Sequence, residues 1–356
     1  MRIPITLLIM LFAATGNAQS TVFLADSVRR AYRIPELSYA VVSADTVLEI
    51  QATGVRKKGT QMQATLNDRF RIGSNTKAIT GFIAAQLVKQ GKLSWNTKFF
   101  DLFPEMKTRS RKEYYPLTLL DLLSFRTKLF PYTYTDAQPV KSQFTGNETQ
   151  QRYQFTQWFF KHEPVHKKDS ICFSNLGYVA AGLMLEKASG KPYKQLVTEL
   201  GKQMGIDFEF GPPNFKDKQQ TWGHNEQLVP EPPADNYKLN WLLPAGNINV
   251  TLPGYAKFIQ LQLLGLQGKS NILTREEFNF LHFGLPQFGV GWFNDSDENK
   301  KPFTYNIGNP GTFLTKVYVL SNSDRAIIIF LNAQTDEADE GSDMLYMALK
   351  RKYCKQ

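Results

Sequence analysis

Apolar residues near the start of the chain follow first a helical and then a strand-like spacing. The spacing over Val22 to Arg33 predicts a helix. Leu37 to Ser43 and Val47 to Ala52 are rich in β-branched residues and flank a short polar turn, a pattern typical of a β-hairpin. Apolar residues then recur every three or four positions from Asn75 to Gln90. This recurrence predicts a helix that begins just after Ser74.

The remainder of the chain divides into a helical part and a part rich in strands. From about residue 80 to residue 245, helical patterns such as those of Leu117 to Leu123 and Leu176 to Ala188 are separated by long polar loops. The last hundred residues return to strand patterns and close with a helix. The predicted elements there are strands at Gly289 to Phe293, Leu314 to Leu320 and Ala326 to Asn332, and a helix from Glu337 to Tyr353.

These elements predict an α/β (α+β) fold in which strands from both ends of the chain form one antiparallel sheet. Helices would flank this sheet, and a mostly helical domain would be inserted between its two parts. The predicted division assigns residues 19–79 and 246–356 to the sheet domain and residues 80–245 to the inserted domain.

The first eighteen residues have the composition of a signal peptide. Met1-Arg2 supplies a positive charge, Ile3 to Ala14 is an apolar stretch of 12 residues, and Gly16-Asn17-Ala18 offers small residues for cleavage. The apolar stretch is shorter than the roughly 20 residues that a membrane-spanning helix needs. We therefore expect cleavage after Ala18 and an exported protein, periplasmic or secreted, without a transmembrane segment.

The composition of the chain is that of a folded protein. Its 356 residues include 42 Lys and Arg against 32 Asp and Glu, and 42% are hydrophobic, which excludes disordered, collagen-like and small disulfide-rich classes. Loss of Arg2 with the signal peptide lowers the formal net charge from +10 to +9. The basic clusters at 107–112 and 350–352 lack interleaved stacking aromatics, so we expect solvated surfaces and no nucleic-acid partner. Two cysteines, Cys172 and Cys354, predict no disulfide framework.

Ser74-Asn75-Thr76-Lys77 is the first motif that suggests chemistry. Its serine and lysine are three residues apart, so on a helix they share one face. A lysine that is partly desolvated loses enough basicity to take the serine proton, and the helix N-terminus favours the oxyanion that forms. The motif therefore indicates a nucleophilic Ser74 with Lys77 as its base.

A second motif points to a different chemistry. His162-Glu163-Pro164-Val165-His166 has the H-E-x-x-H spacing with which two histidines of one helix bind zinc. Pro164 lies inside that required helix, where it removes a backbone donor and disfavours helical geometry at Glu163. Zinc hydrolysis through His162, Glu163 and His166 is therefore a remote alternative, and we expect no metal and no other cofactor.

The chain resembles the serine β-lactamase-like family, which comprises class C β-lactamases, D-alanyl-D-alanine carboxypeptidases and related esterases. The resemblance starts at Phe70 to Thr80, which looks like the nucleophile segment of that family. Further similar segments follow in the right order over nearly all of the chain after the signal peptide. They are Leu87 to Leu93, Leu117 to Leu129, Ser174 to Tyr178, Pro244-Ala245-Gly246 and Asn306-Ile307-Gly308.

The resemblance implies a penicillin-binding-protein-like fold and a set of roles. Ser74 would be the acylated nucleophile, Lys77 its proton acceptor, and Asn175 a partner of Lys77 and of the substrate amide. The backbone amides of Ser74 and Asn309 would form the oxyanion hole. The substrate would be a small molecule, a peptide or a cell-wall fragment, and we expect a monomer.

The chain departs from the family at two motifs. Phe173-Ser174-Asn175 stands where the family has Tyr-x-Asn, and Phe173 has no oxygen with which to move a proton. The third motif of the family is usually Lys or His, a small residue and Gly, and here it is Asn306-Ile307-Gly308. Asn306 would donate a hydrogen bond to a substrate carboxylate but brings no charge. Gly308 would still let the substrate approach the backbone closely.

Two hypotheses follow from these departures. In the first, the protein is a slow or specialised serine hydrolase in which Lys77 alone is the base. In the second, it is a degenerate member of the family that binds a peptide or a cell-wall ligand without turnover. The retention of Ser74, Lys77 and Asn175 favours the first. A β-lactamase is disfavoured, because it needs fast deacylation and recognition of a carboxylate.

Overall fold

A computed structural model describes residues 21–165, 171–234 and 236–354. Nine strands form two antiparallel sheets, and a six-stranded central sheet has the order β2-β1-β9-β8-β7-β6. The strands are β1 (Glu36–Val42), β2 (Val47–Gly54), β3 (Arg69–Arg71), β4 (Glu209–Phe210), β5 (Ile248–Thr251), β6 (Phe293–Ser296), β7 (Pro302–Gly308), β8 (Leu314–Leu320) and β9 (Arg325–Leu331).

Thirteen α-helices in the described ranges accompany the strands. Those before residue 205 are α1 (Thr21–Ala31), α2 (Thr76–Lys89), α3 (Phe99–Leu102), α4 (Leu119–Leu123), α5 (Glu148–Phe159), α6 (Asn175–Ser189) and α7 (Tyr193–Met204). The later ones are α8 (Pro213–Lys216), α9 (Tyr237–Trp241), α10 (Leu243–Gly246), α11 (Leu252–Leu266), α12 (Arg275–Phe283) and α13 (Asp336–Tyr353). None of these helices is both long and apolar enough to cross a membrane.

The inner strands β1, β8 and β9 of the central sheet are buried on both faces, to which successive side chains of a strand point in turn. On β9, Ile327 and Ile329 pack with α1 and α13, the helices formed by the two ends of the described chain. Ile328 and Phe330 face the opposite side, where they join the large core that continues into the helical middle of the chain. The predicted α/β fold, with one antiparallel sheet built from both ends of the chain, is therefore confirmed.

Three features of the strands differ from the sequence-based prediction. The strand predicted at Gly289 to Phe293 is wrong, because β6 begins only at Phe293. The preceding residues turn at Gly291, which has a φ of +87°. Gly291 packs against helix α2, and a Cβ on it would lie 2.7 Å from the carbonyl oxygen of Lys77. The second difference is a small sheet of order β3-β5-β4, and the third is strand β7 of the central sheet; no sequence pattern indicated either.

The helical middle of the chain is held by a buried ion pair between α5 and α6. Nη2 of Arg152 lies 2.8 Å from Oε1 of Glu186, and the two side chains are 1% and 5% exposed. The same carboxylate oxygen accepts hydrogen bonds from the Thr149 hydroxyl and the Tyr193 amide. Loss of one partner from such a pair leaves a buried charge uncompensated, which typically costs about 3–5 kcal/mol.

The division of the chain into domains at 79/80 and 245/246 stays a prediction.

Candidate active site

Ser74 lies where a strand of the small sheet turns into a helix of the core. Strand β3 ends at Arg71, and the 3₁₀ turn Gly73–Asn75 then leads into α2. Gly73 has a φ of +48°, and a Cβ there would come within 2.6 Å of the Asn309 backbone nitrogen. Only glycine permits this approach, which sets the half-buried Ser74 beside the chain that leaves β7.

Lys77 contacts Ser74 from one turn further along α2. Its Nζ lies 2.8 Å from Oγ of Ser74, 2.8 Å from Oδ1 of Asn175 and 2.9 Å from the carbonyl oxygen of Ala245. An ammonium group has three protons to donate, so these three acceptors satisfy it completely. The contacts join α2, α6 and α10 at one atom.

Burial controls the charge of Lys77. The side chain is 4% exposed, and desolvation lowers its pKa to about 7. No carboxylate of the described chain pairs with this amine, so no opposite charge stabilises its ammonium form. At neutral pH an appreciable fraction of Lys77 is therefore an uncharged amine, which can accept the proton of the Ser74 hydroxyl.

Asn175 is oriented by the loop that follows α4. It is the first residue of α6, and its Nδ2 donates to the carbonyl oxygen of Tyr132 at 2.8 Å. That hydrogen bond leaves Oδ1 facing Lys77. The neighbouring Ser174 points elsewhere: its hydroxyl donates to the carbonyl oxygen of Phe130 at 2.6 Å and accepts from the Leu176 amide as the cap of α6.

Phe173 lies outside the group that contacts Lys77. Its ring is 52% exposed and packs against Phe125 and Phe293, with ring centroids 5.1 and 5.6 Å apart. Phe173, which stands where the resembled family has a tyrosine, is therefore part of an aromatic cluster. Phe173 is not among the residues that line the cavity beside Ser74.

The three residues expected to bind substrate occupy different positions. Asn306 is 1% exposed, and its Nδ2 donates to the Gly291 carbonyl oxygen at 2.6 Å, so its amide is engaged inside the protein. Gly308 lies against the carbonyl oxygen of Ile72, which a Cβ would overlap. Asn309 is exposed and lines the cavity beside Ser74.

The cavity at Ser74 has a volume of about 80 Å³. Besides the residues expected from the sequence, it is bounded by side chains that no motif had indicated, which come from loops and from the short helix α9 and its C-terminal end. The cavity is lined by Gly73, Ser74, Thr133, Tyr134, Asn175, Leu239, Leu242, Ala245, Gly246, Asn309 and Pro310. No lining residue carries a positive charge.

The described residues of the alternative zinc motif are not arranged as zinc ligands. Helix α5 ends at Phe159, so His162 and Glu163 do not lie on a helix. Nδ1 of His162 lies 3.1 Å from the Trp158 carbonyl oxygen, and the Glu163 carboxylate pairs with Arg111. His166 lies outside the described residues. In the described ranges, no group of three or more His, Cys, Asp or Glu side chains could hold a metal ion.

Comparison with known proteins assigns the family. Residues 22–352 match the beta-lactamase family. The chain belongs to the beta-lactamase family.

Curated relatives in the beta-lactamase family are distant. The chain is 22% identical to "Protein flp" of Staphylococcus aureus (strain MW2) over 311 residues, which are 85% of this chain and 60% of that protein. The chain thus spans about three fifths of the length of that relative.

Solved beta-lactamase-fold structures show the same architecture at low identity. A class C beta-lactamase from Rhodobacter sphaeroides superposes with a TM-score of 0.74 at 15% identity, covering 92% of this chain and 99% of its own. A D-alanine carboxypeptidase AmpC from Burkholderia cenocepacia gives 0.70 at 16% identity, covering 94% and 100%. At these identities the likeness establishes the fold.

The lowered pKa of Lys77 predicts the pH dependence of Ser74 reactivity. Only the neutral amine accepts a proton, so acylation of Ser74 by p-nitrophenyl acetate should accelerate as the pH rises through about 7 and then level off. First-turnover release of p-nitrophenol measures this rate, and Ser74→Ala corrects for other reacting groups. A rate that kept rising to a pH of about 10, the ordinary range of lysine, would contradict the role of burial.

Proposed function

We propose that the protein is a serine hydrolase that forms an acyl-enzyme on Ser74. The observation that carries this proposal is the contact between the Ser74 hydroxyl and the Lys77 amine, 2.8 Å apart, with the pKa of that amine lowered to about 7 by burial. A nucleophile and a base within hydrogen-bond reach, with the base held by a third group, form the arrangement that covalent catalysis requires. Asn175 is that third group.

The proposed reaction begins with transfer of the Ser74 proton to the neutral Lys77 as Oγ attacks the substrate carbonyl carbon. The backbone amides of Ser74 and Asn309 stabilise the resulting oxyanion, and the close approach of Gly73 to Asn309 supports this assignment. The bond to the leaving group then breaks, and the Lys77 ammonium returns the proton to it. In the second half, Lys77 takes a proton from water as the water oxygen attacks the ester carbon, and the Lys77 ammonium then returns this proton to Oγ of Ser74 as the acid is released.

The substrate that suits this site is an ester or an amide, such as a peptide, a cell-wall fragment or a small ester. The solved neighbours include a beta-lactamase and a D-alanine carboxypeptidase. We propose neither activity as the main one here, because no cation lines the cavity and the amide of Asn306 is engaged with Gly291. A substrate carboxylate would find no charged partner among the lining residues.

A binding protein without turnover is the second candidate function. Phe173 favours it, since this residue replaces a group that would shuttle a proton, and general acid or base groups contribute about 10² to 10⁴ in rate. In that case the cavity would hold a peptide or a cell-wall ligand, and Ser74 would not be acylated.

We also propose that the protein is exported. This rests on the apolar segment Ile3 to Ala14 and the small residues before Gln19. These residues lie outside the described ranges. N-terminal sequencing of the exported chain would find Gln19 as the first residue if the cleavage site is right.

Labelling separates the two candidate functions. We expect a fluorophosphonate probe to add covalently to Ser74, because Lys77 activates its hydroxyl, and intact-protein mass spectrometry should show one adduct. Ser74→Ala should abolish the adduct. Ser174→Ala is the matched control and should keep it, since that hydroxyl is bonded to the Phe130 carbonyl oxygen. A wild-type chain that stays unlabelled after long incubation would favour binding without turnover.

A pair of substitutions tests whether Lys77 suffices as the base. We expect Lys77→Met to lower kcat for p-nitrophenyl acetate by about 10² or more. Phe173→Tyr should change kcat by less than about tenfold, because the ring at this position packs on Phe125 and Phe293 outside the cavity lining. A rise of about 10² in Phe173→Tyr would show instead that the missing phenol limits the wild-type enzyme.

A further inference from the structure

Tyr134 forms a wall of the Ser74 cavity that no motif of the chain explains. It lies in the loop after α4 and is half-buried among the lining residues. Two residues earlier in the same loop, the Tyr132 carbonyl oxygen accepts the hydrogen bond from Asn175. The loop that orients Asn175 therefore also places an aromatic ring at the cavity.

The Tyr134 side chain reaches across the cleft to the turn after β7. Its hydroxyl oxygen lies against Gly311, at a point that a Cβ on Gly311 would overlap. Gly311 has a φ of +95°, and its amide donates to Oδ1 of Asn309 at 3.1 Å. The ring thus connects the helical side of the cleft with the Asn309-Pro310 segment and closes the cavity at that end.

The turn against which Tyr134 rests is anchored from behind. The Thr312 hydroxyl donates to Oε2 of Glu231 at 2.6 Å, and the same oxygen lies 3.4 Å from Nη1 of the fully buried Arg71. Burial raises the pKa of Tyr134, the positive charge of Arg71 opposes this rise, and the charge of Glu231 adds to it. Tyr134 is therefore a neutral phenol at pH 7, which acts as a wall and not as a base.

The cavity, which is bounded by Tyr134 at one end and opens to solvent elsewhere, is small for a ligand site. Its volume of about 80 Å³ compares with roughly 300–1,000 Å³ for pockets that hold drug-sized ligands. On this measure about 10–15 Å³ suffices for one water molecule, so the cavity has room for a short chain of roughly five to eight heavy atoms. A short acyl group, such as acetyl or butyryl, fits within this limit.

The acyl side of the substrate is the part that fits the end of the cavity bounded by Tyr134. A leaving group must depart to solvent, and the end blocked by Tyr134 and Gly311 offers no exit. The acyl group stays bound to Ser74 until water attacks, so it can occupy the closed end throughout the reaction.

We propose that Tyr134 sets an upper limit on the acyl group and makes short-chain acyl esters or amides the substrate class of this site. This inference rests on the proposed serine hydrolase function. Tyr134 is a specificity-determining residue in this account, and the size of its ring, not its hydroxyl, carries the effect. Discrimination by pocket size is commonly worth about tenfold or more for each poorly fitting methylene.

First-turnover kinetics with two p-nitrophenyl esters test the proposal. The ratio of acylation rates for acetate over octanoate should exceed about tenfold in the wild type and should fall at least about tenfold in Tyr134→Ala, because the closed end opens. Tyr134→Phe should keep the wild-type ratio, since it preserves the ring. Tyr153→Ala, which removes a half-buried tyrosine of α5 outside the cavity lining, is the matched control and should also keep it.

The outcomes for the two proposals are distinguishable. A Tyr134→Ala protein that retains its Tm and is acetylated on Ser74, but shows the wild-type ratio, overturns the size limit and leaves the hydrolase intact. A wild type that prefers octanoate also overturns it. A wild type that neither ester acylates at Ser74, by intact mass, contradicts the hydrolase proposal and with it the size limit.

Discussion

The burial of one amine is the constraint on which the site depends. The amine of Lys77 lies where three helices meet, and its ammonium form donates one hydrogen bond each to Ser74, Asn175 and Ala245. These acceptors lie up to 168 positions away along the chain, so the amine is satisfied only when α2, α6 and α10 are all in place. An unpaired ammonium at this depth would be costly. The same desolvation that makes the amine dependent on its neighbours also lowers its pKa and makes it a usable base.

Close backbone packing is the second requirement of the site. Gly73 lies against the Asn309 nitrogen, Gly308 against the Ile72 carbonyl, and Gly291 against the Lys77 carbonyl. Each contact leaves no room for a side chain, so the turn with Ser74, the end of β7 and the start of α2 meet through main-chain atoms. Phe173 and Asn306, the two positions at which the sequence differs from the motifs it resembles, take no part in these glycine contacts.

Local patterns predicted those parts of the fold and site that depend on neighbouring residues. The three-residue spacing of Ser74 and Lys77 placed both on one helical face, and the apolar runs of β8 and β9 were long enough to be recognised as strands. The strand predicted at Gly289 failed because Gly289 packs against the main chain of α12 and Gly291 turns against α2. The two-residue strand β4 is too short to leave a periodic signal.

The orientation of particular side chains could not be predicted from the sequence. The motif suggested that Asn306 would face substrate, whereas its hydrogen bond to Gly291 holds it inside the protein. Tyr134 was missed because a loop residue joins the site through tertiary contacts with Gly311, 177 positions later by sequence number. Asn175 was placed by family resemblance, and neither its spacing from Lys77 nor its neighbours would have indicated the contact.

The segment from Phe130 to Tyr134 has a consequence for engineering. Its carbonyl groups hold Ser174 and Asn175, and its last ring bounds the cavity. One stretch of five residues thus both orients Asn175, the partner of Lys77, and bounds the cavity. Replacing this loop by a longer or shorter one from a relative would retune both properties together, so a broader substrate range is better sought by point changes at Tyr134 than by loop grafting.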